Sequence, residues 1–356
     1  MDYRPCVSGL ICNSEAYFCV SGVRNHVVGR FEIYHDQFRG MAGFSRIPGV
    51  LREVAMKTSV AGRLLGVGLV MVCAGSARAD FSILQSWNLI ARNSVTSSSE
   101  VDGSALIGGS LLGTSSNYAV QGVTAPANVG LAVGGAVSGG NKQVNNGGNF
   151  RFNGAVSATV NLNGGGNAAM DATIPSQITS AFNEVSAIRS YLGSLSANGT
   201  IDGAGNMNAA PTLVNGQMVA VYSFNMASIQ SLGQLNLNFG SATSVILNVT
   251  SNTGVINLVA PPNLIGGFSQ ANSTRILWNL LDATQISVNN TFNGAMIAPN
   301  ADLKILGGGV NGSVVVDSIS QQSAEIRRFN YTGFIPAPGV AGVLMGFGLM
   351  VGRRRR

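Results

Sequence analysis

Four carboxylates have the best claim to chemistry in this sequence: Glu100, Asp102, Asp282 and Asp302. Glu100 and Asp102 lie two residues apart, so on a strand they alternate onto one face. Two acids held within reach across a cleft do general acid–base work on sugar polymers. The acids are sparse here, however, and Asp282 and Asp302 read rather as turn and cap residues whose oxygens accept backbone N–H bonds. Nucleophilic catalysis lacks its parts. Both histidines (His26, His35) and three of the four cysteines (Cys6, Cys12, Cys19) fall in residues 1–55, and the fourth is Cys73. Beyond residue 79 there is no His to act as base and no Cys to act as nucleophile. Lys142 and Lys304 are available to a Ser–Lys dyad, but neither sits in a serine motif. Zinc, copper and iron lose their usual ligands for the same reason. The loop from Asp202 to Asn208 offers oxygens to calcium, but it lacks the Asp-x-Asp-x-Asp-Gly spacing and the distal Glu. No catalytic residue, metal or cofactor is therefore expected, and the alternative is a carbohydrate-active solenoid lyase or hydrolase using those four acids.

Charge narrows the partners. The formal +6 is misleading, because the ends of the chain carry most of the basic residues. Between Asp80 and Gly352 there are eight basic and ten acidic side chains. No basic patch exists there to displace counterions, so nucleic acid is excluded as a partner. With no Cys in that span, the fold must be held by burial and backbone pairing.

Those residues need elements to position them, and the span from Arg275 to Gly333 shows which. Short apolar runs (276–281, 286–288, 295–297, 314–316) are cut by Asn/Gly turns. Each run is too short for a helix and β-rich enough for a strand. Asn293-Gly294 and Asn311-Gly312 lie 18 residues apart, about one coil of a β-solenoid. Ile107-Gly108-Gly109 and Val133-Gly134-Gly135 repeat at 26 residues. Residues 81–96 read as a first strand pair, and 198–208 as a polar loop. Between 175 and 195 the period changes: Ile178, Phe182, Val185, Ile188, Leu192 and Leu195 line one helical face. Pro175 suits the first turn and Gly193 the end.

Two further segments read as targeting signals. Residues 56–79 have a basic start, an apolar run and Ala77-Arg78-Ala79 before Asp80, the layout of a secretory signal peptide. Residues 1–55 then read as an over-extended start or a disordered extension. At the other end, Pro336-Ala337-Pro338-Gly339 precedes the apolar run 340–352 and then Arg353, Arg354, Arg355 and Arg356. This three-part layout resembles the PEP-CTERM sorting signal, with Ala in place of the usual Glu. Basic residues held at the cytoplasmic face stop transfer of the preceding segment. Thirteen residues are short for a span, where about 20 are expected, which suits a transient anchor.

The pattern Trp278-Asn279, Asp282-Ala283, then Ala298-Pro299-Asn300-Ala301-Asp302 resembles the choice-of-anchor A domain of bacterial surface proteins. That resemblance covers about Phe81 to Phe334, the ectodomain being taken as 80–334 and the sorting signal as 335–356. Trp278 and Asn279 read as core and buried Asn ladder rather than as a ligand site. The expected fold is mainly β: a right-handed parallel β-solenoid-like ectodomain with one long amphipathic helix along it, plus short hydrophobic helices at the signal peptide and the tail. Ice-binding solenoids share that layout as an architectural analogy, but the threonines (Thr96, Thr114, Thr124, Thr159) are scattered, whereas ice binding calls for a regular Thr array. The resemblances imply an exported, adhesin-like protein at the envelope surface or extracellular matrix of a Gram-negative-type bacterium. Its implied partners are signal peptidase and the Sec machinery, an exosortase-like sorting enzyme, the membrane through its transient or permanent tail, and exopolysaccharide or surface glycans.

Overall fold

The computed structural model describes residues 15–17, 30–32, 81–214, 217–259 and 262–333. The signal-peptide residues, including Ala77, Ala79 and Asp80, and the sorting tail from Pro336 onward lie outside the described residues. The chain divides into two units, Met1–Val72 and Cys73–Arg356. The first holds an antiparallel pair, Glu15–Tyr17 with Arg30–Glu32.

The second unit is a stack of coils with parallel pairing. One coil supplies three short strands separated by corners: Leu89–Ala91, Val95–Ser97 and Glu100–Val101. The next coil repeats them in register as Ala105–Ile107, Leu111–Leu112 and Ser116–Tyr118. The first two strands are thus not a pair, as the sequence suggests. They follow one another round a corner, and Ser82–Ser86 before them is a short helix. Three strands per coil give three faces. Coils continue through Val129–Val133 and Lys142–Val144, then Asn149–Phe152 and Val160–Leu162, to an end strand, Ala168–Met170.

The helix Ile174–Ser194 then carries the chain to the other end of the stack. From there Gln217–Asn225, Ser244–Thr250, Ile276–Leu280, Ala295–Ile305 and Val314–Gln321 return strand by strand. Val314–Val316 finally pairs with Leu89–Ala91, so the first and last coils meet in mid-stack. Asn293 lies beside Asn311, and Ile107 beside Val133, which confirms both repeat spacings as single coils.

Burial explains the sequence pattern. Strands under the helix are buried on both sides, one toward the solenoid interior and one toward Ile178, Phe182, Val185, Ile188 and Leu192. They therefore read as unbroken apolar runs such as Val314-Val315-Val316. A 21-residue helix is about 32 Å long, enough to cross roughly seven of the nine strand spacings between Ala168–Met170 and Gln217–Asn225. Strands on the other two faces are buried on one side and alternate. The Gly-Gly repeats mark the corner leaving the helix face: a Cβ on Gly134 would lie 2.4 Å from the carbonyl oxygen of Gly108. Residues 198–208, expected to be a loop, instead form a hairpin, Gly199–Ile201 with Asn206–Ala209.

Candidate functional site

The motif residues build the fold. Trp278 is buried, its Nε1 donating to the Asn293 carbonyl at 3.1 Å, with its ring stacked on Phe268 at 5.4 Å. Asn279 Nδ2 donates to the Arg189 carbonyl (3.1 Å) and to Asn248 Oδ1 (2.8 Å), while Asn248 Nδ2 donates to the Leu192 carbonyl (2.7 Å). This buried Asn ladder ties the last turns of the helix to the sheet, the Leu192 carbonyl also accepting the Leu195 N–H at 3.2 Å. Ala298 to Asp302 is the bend of the 11-residue strand Ala295–Ile305, whose register shifts between Ala298 and Asp302. Ala283, Ala298, Pro299 and Ala301 are buried there, and Asn300 and Asp302 are exposed.

The four acids serve turns and ladders. Asp282 Oδ1 accepts from the Ser251 backbone N–H at 2.7 Å, and Asp302 Oδ1 accepts from the Ser318 hydroxyl. Glu100 accepts from Asn117 Nδ2 at 2.8 Å. Asp102 does not share a strand face with Glu100: the strand ends at Val101, and Asp102 is buried at the following corner, accepting from the Arg328 backbone N–H. Burial pushes its carboxyl above the usual range, against that hydrogen bond. Asp202 accepts from the Ala204 and Asn206 backbones within its hairpin turn. Among the described residues no group of three or more His, Cys, Asp or Glu could hold a metal, and no helix is long and apolar enough to cross a membrane.

Lys142 was not read from the sequence as a core residue. It is buried, and its ammonium donates to the Thr114 carbonyl at 2.6 Å. Burial lowers its pKa. Its inward position on Lys142–Val144 follows from the strand alternation, with Val144 also buried and Gln143 half-buried.

Two faces are left uncovered by the helix, and the longer outward rows lie on the face that follows the helix face in each coil, here the open face. Its inner row is Ile256, Ile286, Leu303, Ile319, Val95, Leu111, Val137 and Val156, one per coil. Eight rungs span about 34 Å at ~4.8 Å per strand. The outward row beside it is Asn257, Ser287, Lys304, Ser320, Thr96 and Leu112. A second outward row carries Val255, Gln285, Asp302 and Ser318. Both rows are exposed or half-buried. The surface is hydroxyl- and amide-rich, with one cation and one anion and no repeating Thr. The third face, here the amide face, carries a shorter ladder of Glu100, Asn117, Gln143 and Asn161.

Residues 80–328 match a family model described as a putative ice-binding-like adhesive domain. Solved structures of similar layout include an ice-binding protein from an Antarctic ascomycete, Antarctomyces psychrotrophicus. It is 12% identical over 73% of this chain and 98% of that one, with a TM-score of 0.31. An ice-binding protein from Arctic yeast is 15% identical over 73% and 96%, with a TM-score of 0.35. The Shewanella frigidimarina ice-binding protein domain is 12% identical over 69% and 96%, with a TM-score of 0.25. No curated protein matches the sequence.

Proposed function

The chain belongs to the putative ice-binding-like adhesive domain family, and on that footing we propose that it is an exported, non-catalytic surface protein that adheres through its open face. The observation that carries this reading is the sheet face whose outward row runs Asn257, Ser287, Lys304, Ser320, Thr96 and Leu112, four of the six bearing a hydroxyl or an amide. Such a face offers many weak hydrogen bonds in a fixed array, which suits a repetitive target such as exopolysaccharide or a glycan-covered cell surface. The mixed outward row favours a polymer over ice, which calls for a regular ladder of like side chains. The Glu100, Asp102, Asp282 and Asp302 carboxylates are each engaged in a turn or ladder, which supports the non-catalytic reading.

Export and sorting rest on the sequence: residues 56–79 as signal peptide, and Pro336 to Arg356 as a tail for an exosortase-like enzyme. The test is intact mass and N-terminal sequence of the protein from its native host, with cell fractions kept apart, followed by binding of that protein to host exopolysaccharide. The reading expects a start at Asp80, loss of the residues beyond about Pro338, recovery from the envelope surface or matrix, and retention on the polymer. A chain that keeps Arg353 to Arg356 in the inner membrane would overturn sorting. Thermal hysteresis in ice without polymer binding would overturn the choice of target.

A further inference from the structure

The two ends of the solenoid are built differently. At the end reached after the helix, two antiparallel strands turn the chain back over the stack: Gly199–Ile201 against Asn206–Ala209, and Thr212–Val214 against Gln217–Asn225. Pro211 directly precedes the second of these edge strands, and proline at an edge blocks further pairing. That end is capped.

Among the described residues the opposite end carries no such device. Its terminal coil presents an edge on all three faces. Among the described residues, Ala168–Met170 pairs only with Asn149–Phe152, Val160–Leu162 only with Lys142–Val144, and Val156 only with Val137. Met170 is 70% exposed and Val156 38%. The interior core runs out through this end, with Phe152, Ala158, Val160 and Leu162 only partly buried against it. From 152 to 170 there is no charged residue and no proline. Edges that must stay single are protected by Lys, by inward charges, by Pro or by a covering element, and terminal repeats of solenoids by polar caps. A single peptide strand could satisfy one of the three edges. A terminal coil of the same cross-section satisfies all three at once.

We propose that this bare end is a self-association surface, and that two copies of the chain join end to end across a two-fold axis, with their terminal coils antiparallel. The capped far end fixes the stoichiometry. A bare end meeting the far end would not find three matching edges, the hairpins standing over two of the faces, whereas two bare ends match on all three, so growth stops at two and no filament forms. The dimer carries two open faces, so one particle engages a repetitive target twice and gains avidity without any new contact type.

The test uses sedimentation equilibrium of the full chain over a wide concentration range, beside the double variant Val156→Lys, Met170→Lys and the control Leu213→Lys at the capped end. All three positions are exposed, at 38%, 70% and 69%, so the variants are expected to fold, and their melting curves are recorded alongside. The wild type and the control should approach the mass of two chains. The double variant sets like charges against each other across the joint and should raise the dissociation constant more than about a hundred-fold. Four results would overturn the proposal: a single-chain mass for the wild type at every concentration, masses that grow beyond two chains, a two-chain mass kept by the double variant, or equal loss in the control.

Discussion

Lys142 shows what a buried side chain does to stability. Its pKa is lowered by burial from the ordinary 10.5, so the folded state releases the proton before the unfolded state does. Between the folded-state pKa and 10.5 the unfolded chain binds more protons, and stability rises with pH in that window. Below the window the cost of a buried ammonium is fully present. Lys142→Met should remove that rise. Denaturant midpoints of wild type and variant compared from pH 7 to 10.5 check it, and the difference cancels the tyrosines Tyr118, Tyr222 and Tyr331, whose pKa values burial raises. Parallel curves would contradict the assignment. The Asn ladder makes a second claim at this scale. Asn279→Ala and Asn248→Ala should each cost about 1–3 kcal/mol, because each strips a buried polar partner. A double-mutant cycle should show coupling of at least about 0.5 kcal/mol, since Asn279 donates to Asn248. The sequence made Trp278 and Asn279 legible as core and ladder. It did not make Lys142 legible, because a lysine carries no local sign of pointing inward. Asp102 was misplaced for a related reason: two-residue alternation assumes that the strand continues, and it stops at Val101.

At the scale of elements, the helix was readable almost to the residue. Its apolar stripe is strictly periodic, and Pro175 sits in the first turn of Ile174–Ser194. The stripe packs on strands buried on both sides, so deleting one large side chain leaves a cavity that neither layer can fill. Phe182→Ala should destabilise by about 3–5 kcal/mol, with loss of the Arg92 guanidinium contact 4.3 Å from the ring centroid. A loss under 1 kcal/mol in urea titration would mean that the helix is only loosely docked. The strands at 276–280 and 314–316 were equally legible as apolar runs. The hairpin at 199–209 was hidden because Gly, Asn, Asp and Thr make up most of it, with only Ile201 and Met207 as large apolar residues, and its turn is set by Asp202.

At the scale of the molecule, the order of coils was not legible. Leu89–Ala91 lies beside both Ala105–Ile107 and Val314–Val316. Nothing local in either strand marks a neighbour more than two hundred residues away, and every coil offers a similar apolar edge. The helix and this seam join the two halves of the stack, so they should unfold as one body. A single thermal transition is expected in wild type and in Phe182→Ala, and two resolved transitions would contradict it. In the proposed function adhesion runs through the open face, and that is the claim most exposed to test. The direct measurement is binding of the full chain to host exopolysaccharide, with Thr96→Arg and Ser320→Arg, neighbours on the open face, compared with Gln143→Arg on the amide face. The account expects the open-face pair to lose binding at least about tenfold while the amide-face variant keeps it, about 1.4 kcal/mol. Equal binding by all three, or loss confined to Gln143→Arg, would contradict it.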